Sequence, residues 1–107
     1  MEQSLEEKNR ALVLEAFDNA FNKKDAGAYK RYWAPNYIQH SKVATPGREG
    51  LREPLSSLPG AMRYEPGLAV ASGDYVMVHG RLTNMGQPKA LIVVDVLRIA
   101  NGLQAEH

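Results

Sequence analysis

Asp95 stands inside the run Leu91-Ile92-Val93-Val94-Asp95-Val96-Leu97, and an acid among apolar, largely β-branched residues needs a reason. A carboxylate taken out of water has to be paired, hydrogen-bonded or kept protonated, and a carboxyl group held at that edge is what proton transfer to and from carbon uses. An imidazole beside such an acid can orient it, or donate to an oxygen that gains charge during the reaction. His79 and His40 are the candidates for that part, and Glu106 is a second carboxylate near the chain end. Two imidazoles and one carboxylate, His40, His79 and Asp95, also make up a minimal metal set. They come without a spacing motif, so no metal is expected. A carboxylate that pairs with a nearby arginine such as Arg81, or caps a backbone group, is the purely structural alternative.

Strands must bring these residues together. Alternation puts Leu91, Val93, Asp95, Leu97 and Ile99 on one face of a strand over Lys89 to Ile99, and Ile92, Val94, Val96 and Arg98 on the other. In the preceding strand, Tyr75 to Asn84, one face carries Tyr75, Met77, His79, Arg81 and Thr83. The other carries Val76, Val78, Gly80 and Leu82. If the intervening loop sets an even register, His79 lies on the Asp95 face; an odd register separates them. The even register is the expectation. Asn101-Gly102 is a two-residue hairpin signal that pairs Ala100 with Leu103, hence Leu97 with Glu106. Glu106 then joins the Asp95 face, and His107 points to the other side unless a bulge intervenes. His40 shares a side with Ile38, which is expected to face the core.

The N-terminal half is helical in pattern. Ser4 and Glu7 have capping-box spacing, and Leu5, Leu12, Val13, Ala16, Phe17, Ala20 and Phe21 form an apolar stripe as far as Lys24. Asp25 can cap a second helix over Ala26 to Trp33, which Pro35 ends. A short strand, Tyr37 to His40, follows. Thr45-Pro46 can start a third helix through Leu58, which Pro54 should kink or end early. Strands over Leu68 to Ser72, Tyr75 to Asn84, Lys89 to Ile99 and Leu103 to His107 complete the chain. Helices first and a β-meander afterwards predict an α+β fold with the helices on one face of a strongly curved antiparallel sheet. Tyr32, Trp33 and Tyr37, with Phe17 and Met77, are the expected apolar lining of a substrate site. Simple core packing is the alternative for the aromatic cluster.

Composition narrows the partner. A chain of 107 residues makes one domain with room for one small cavity. Lys and Arg total 13 against 12 Asp and Glu, and no charge block stands out, so neither nucleic acid nor an anionic membrane surface is an expected partner. A small apolar molecule fits better. Cysteine is absent, which removes disulfides, thiolate nucleophiles and zinc–thiolate sites. The acidic, polar start and the lack of a long apolar run predict a soluble cytoplasmic protein. Exposed Ile92, Val94 and Val96 on the outer sheet face predict a homodimer through the sheet.

Asn9-Arg10-Ala11-Leu12-Val13-Leu14-Glu15, Tyr37-Ile38-Gln39-His40 and Val93-Val94-Asp95-Val96-Leu97-Arg98-Ile99, followed by Asn101-Gly102 and Glu106-His107, together resemble the SnoaL-like polyketide cyclases of the nuclear transport factor 2-like superfamily. The resemblance spans nearly the whole chain. It implies a conical α+β barrel, three helices packed in the mouth of a bent sheet, around an apolar cavity with few polar groups. It also implies acid/base chemistry without metal or organic cofactor, with Asp95 at the position resembling the aspartate that acts in an intramolecular aldol condensation. Similar folds carry out ketosteroid isomerisation and epoxide hydrolysis, so cyclisation and isomerisation of a small carbonyl compound are both compatible. Relatives usually continue after Glu-His with Trp-Asp. On the register above, that tryptophan would stand opposite Asp95, and a chain stopping at His107 would leave this wall of the pocket open.

Overall fold

The computed structural model describes residues 4–40, 47–84, 86 and 89–107. Helix α1, Leu5–Phe17, begins where the Ser4 hydroxyl accepts a hydrogen bond from the Glu7 amide at 3.1 Å. That satisfies one of the donors a helix start leaves free. The helix passes directly into a π-helical turn, Asp18–Asn22. Asn22 shows what the turn achieves: its side chain accepts from the Tyr64 amide at 2.7 Å and donates to the Tyr64 carbonyl at 2.9 Å, tying helix to sheet. Val13, Ala16, Phe17 and Ala20 of the predicted stripe are buried, whereas Leu5 at its start is exposed.

Helix α2 is shorter than expected, Ala28–Tyr32. Asp25 acts before its start, accepting from the Gly27 amide at 2.9 Å. The chain then extends at once into β1, Trp33–Ile38. Pro35 sits within that strand, which is tolerated because β1 is an edge strand. The start expected for the third helix, at Thr45-Pro46, falls outside the described residues. A 3-10 turn, Arg48–Leu51, leads into α3, Arg52–Ser56. Pro54 lies in the first turn of α3, where the missing amide hydrogen has no intrahelical acceptor to satisfy, and the helix ends at Ser56, short of the expected Leu58.

Strands β2 (Arg63–Ser72), β3 (Tyr75–Thr83), β4 (Leu91–Ala100) and β5 (Leu103–Glu106) form the predicted meander. The sheet order is β1-β5-β4-β3-β2. The fold class is α+β as expected, but the sheet is mixed, since β1 runs parallel to β5. Gly73-Asp74 and Asn101-Gly102 make the tight turns, the latter with φ of 52° and 74°. Positive φ at both positions gives the hairpin a twist matching its strands. The core lies between α1 and the inner sheet face, where Tyr64, Val76, Val78, Leu97 and Ile99 are buried.

The β3–β4 register is odd. Val78 pairs with Asp95 and His79 with Val94. The face of β3 that packs inward is therefore Val76, Val78 and Gly80, not the face carrying Met77 and His79. Burial of two valines outweighed any pairing of His79 with Asp95. A second correction concerns β1: Tyr37 is buried and Ile38 is 44% exposed, so the aromatic, not the isoleucine, takes the inward position. The third lies in β5. Ala100 pairs with Leu103 and Ile99 with Gln104, but Arg98 then pairs with Glu106. Ala105 is the additional residue of a bulge, which reverses the sides of all that follows.

Candidate active site

Asp95 reaches the inner side of β4 with its side chain 22% exposed. There it lines a cavity of roughly 90 Å³ shared with Leu97 and His107. Phe17 from the end of α1, Phe21 from the π-helical turn, Trp33 and Tyr37 from β1, Leu51 from the 3-10 turn and Leu55 from α3 supply the apolar walls, while Gln39 adds an amide. This is a small space with its polar groups gathered at one end.

Those polar groups form one chain of hydrogen bonds. His107 Nε2 lies 2.7 Å from Asp95 Oδ1, and His107 Nδ1 lies 2.9 Å from Gln39 Oε1. Gln39 Nε2 in turn donates to the Tyr37 hydroxyl at 3.0 Å. With its amide nitrogen committed to Tyr37, Gln39 presents an acceptor to His107, so Nδ1 is the imidazole nitrogen that carries hydrogen. One proton then lies between Nε2 and Asp95, shared either as imidazolium and carboxylate or as imidazole and carboxylic acid. Among the described residues this is the sole hydrogen bond of Asp95, and Oδ2 has no protein partner. A group whose proton is shared on one side and whose second oxygen is unengaged can accept or deliver a proton at that oxygen.

Burial, together with the nearby Asp95 charge, pushes the Tyr37 hydroxyl up to about 12, against the hydrogen bonds from Trp33 and Gln39. Burial and the same carboxylate also push Tyr64 up to about 12. Both phenols stay neutral at ordinary pH and keep their hydrogens for donation. Tyr64 is 4% exposed, and its hydroxyl has no hydrogen-bond partner among the described residues. Its ring is held edge-on to Phe17, with centroids 5.3 Å apart, and its tip rests on Gly80, where a Cβ would come within 2.5 Å of the hydroxyl.

The expected site residues separate into two groups. Asp95, Phe17, Trp33 and Tyr37 meet in the cavity. His79 and Met77 stand on the outer sheet face, where His79 adjoins Gly67, Glu65 and Arg81. Glu106 leaves the Asp95 face because of the bulge; it accepts from Arg98 Nε at 2.8 Å and from His40 Nε2. His40 is thus an outer-rim residue, 66% exposed at its side chain. Tyr32 is half-buried outside the cavity, its hydroxyl accepting from Asn19 at 3.3 Å. His40, His79 and Asp95 do not converge, which removes the three-residue metal set; among the described residues no other cluster of that kind occurs. The expected ion pair of Asp95 with Arg81 is not made, because Arg81 pairs with Glu65 at 2.5 Å, and His107 is the partner of Asp95 instead.

Sequence reasoning missed Gln39 and Tyr64, and it pointed His107 outward. Gly80, a glycine in the middle of an otherwise large-residue strand face, was the signal available for Tyr64. The position facing Asp95, expected to be open, is occupied by His107 itself.

The family model for the SnoaL-like domain matches residues 13–107. The chain belongs to the SnoaL-like domain family. No curated protein matches its sequence. Among solved structures, this SnoaL-like domain superposes on TsrD from Streptomyces laurentii with a TM-score of 0.78 at 20% identity, covering 99% of this chain and 88% of that one. A candidate SnoaL-like polyketide cyclase from Jannaschia sp. CCS1 gives 0.77 at 23% identity, over 99% and 87% of the two chains. A candidate ketosteroid isomerase from Kribbella flavida DSM 17836 gives 0.81 at 21% identity, over 94% and 74%. These likenesses establish the fold. No helix among the described residues is long and apolar enough to cross a membrane.

Proposed function

We propose that this SnoaL-like domain is an acid/base enzyme acting on a small, mainly apolar carbonyl compound, by aldol-type cyclisation or isomerisation. The observation that supports this is Asp95 facing an apolar cavity with one oxygen bound to His107 and the other without a hydrogen-bond partner among the described residues. Asp95 Oδ2 takes the proton from the carbon next to the carbonyl. His107 holds the carboxylate in place and stabilises its charge, the part first given to His79 or His40. Tyr37, a neutral phenol on the cavity wall, is placed to donate to the enolate oxygen as charge develops there. At roughly 90 Å³ the cavity takes the reacting end of a substrate, with the remainder extending through the opening.

The test measures exchange of α-hydrogens for deuterium on a panel of small ketones, read by NMR. Asp95→Asn should lower the exchange rate by about 10²–10⁴-fold, the range for loss of a general base. Undiminished exchange in Asp95→Asn sinks the mechanism. The competing reading is a non-catalytic module that binds an apolar ligand in the same cavity. Its supporting observation is that Asp95 is already paired with His107 through one oxygen; ligand binding without any exchange would favour it.

The same reading includes a second copy of the chain against the outer sheet face. Val70, Met77 and Val96 form an exposed row across three strands, beside Ile92 and Val94. Bordered by the exposed Arg81–Glu65 ion pair, this row of apolar side chains is suited to its own symmetry mate.

A further inference from the structure

We propose that Glu106, gripped on the outer side of the sheet by Arg98 and His40, is the positioning residue that turns His107 into the cavity. The inference takes its functional meaning from the acid/base reading of Asp95. It rests on the bulge in β5. A bulge-free hairpin from Asn101-Gly102 would place Ala105 opposite Arg98 and Glu106 opposite Leu97, with His107 outside. Two carboxylates, Glu106 and Asp95, would then share one apolar face, and Arg98 would lose its partner. In the structure the strand takes the other course. Gln104 and Ala105 are both buried in succession, breaking the alternation, and Glu106 lands opposite Arg98.

The Glu106 carboxylate receives Arg98 Nε at 2.8 Å on one oxygen and His40 Nε2 on the other. These two contacts, His40 first, hold its carboxyl below the usual range. Beyond it the backbone is tied to β1 on both sides of the last residue: the His107 amide donates to the Ile38 carbonyl at 3.0 Å, and the His40 amide donates to the His107 carbonyl at 3.2 Å. Those bonds fix the height of the chain end along β1. The side on which each residue emerges is set by its register with β4, and the residue that distinguishes the two registers by charge is Glu106. By choosing the outer face, Glu106 exchanges a second carboxylate beside Asp95 for an imidazole.

The experiment reads strand pairing and the His107 ring by NMR in the full chain. Wild type and Glu106→Gln, whose amide oxygen can still accept from Arg98, should show residue 106 opposite Arg98 and the His107 ring in contact with Leu97. Glu106→Leu, apolar and welcome inside, should pair with Leu97 and lose the His107–Leu97 contacts. Arg98→Met, which leaves Glu106 in place but removes its permanently charged partner, should lose them as well; it carries the test if the leucine variant does not fold. Retention of the wild-type pairing and ring contacts in the folded variants overturns the proposal and assigns the bulge to burial of Ala105 alone. Failure of the underlying reading looks different: His107 seated as described, with deuterium exchange indifferent to Asp95→Asn, would end the acid/base mechanism and leave the positioning role standing.

Discussion

Gly80 and Tyr64 are a pair made by subtraction. A strand glycine removes a side chain from the inner face, and the tyrosine tip, clamped by Phe17 and Phe21 at centroid distances of 5.3 and 5.8 Å, fills the space. An added methyl has nowhere to go, because the ring cannot swing away from its two neighbours. Gly80→Ala should therefore destabilise the protein by about 1–3 kcal/mol, the usual scale for overpacking, measured by urea unfolding. A change within error would mean that the ring is not held as described. The phenols offer a second check. Both Tyr37 and Tyr64 are raised from 10.0 to about 12, so folding favours their protonated forms. Their contribution to stability is full below pH 10 and is lost as pH rises from there to about 12. Tyr37→Phe and Tyr64→Phe should each flatten that alkaline loss in denaturation curves taken across the interval; curves parallel to wild type would contradict it.

At the scale of elements, the last hairpin governs the site. Asn101 and Gly102 both adopt positive φ, and β5 is only Leu103–Glu106, so a few residues and one turn determine where His107 goes. Valine at Gly102 would force a β-branched residue into the left-handed region. Gly102→Val should cost about 1–2 kcal/mol in unfolding measurements, and it should release the His107 ring from Asp95, seen as loss of its contacts with Leu97 in NMR spectra. A seated His107 in that variant would show that the ties to β1 suffice without the turn. The same scale explains which elements were legible. The α1 stripe, the Asn101-Gly102 turn and the order of the meander rest on local periodicity and turn chemistry, and all appear in the structure, although β2 begins at Arg63, well before the expected Leu68. The side on which His79 lies was not legible, because the loop between β3 and β4 carries no turn signal that sets register.

For the whole molecule, the two sheet faces have opposite fates. The inner one is covered by α1 and the α3 segment; the outer one leaves Leu68, Val70, Tyr75, Met77, Ile92, Val94 and Val96 exposed. If a second copy covers that face, Val94→Lys should shift the species measured by sedimentation from dimer to monomer while leaving the helical content of the chain unchanged. A wild type that sediments as a monomer at every concentration would remove the dimer proposal. Exposed valines on this face also show why strand composition alone misleads. Ile92, Val94 and Val96 have the same β-branched character as Val76 and Val78, and only the position of the helices makes one set core and the other surface.

The sequence by itself determined the α+β class, the family, the order of helices and strands, and the inward face of the strand that carries Asp95. Each of these is carried by patterns a few residues long or by the spacing of several motifs. Tertiary structure alone decided which imidazole meets that acid. His79 is lost to it through a one-residue difference in register, and His107 is gained through a one-residue bulge. Because strand side chains alternate with a period of two, a shift of one reverses every assignment beyond it. The energies that choose between such registers come from burial of valines and from the ion bridge at Glu106, contacts that exist only once the strands are side by side.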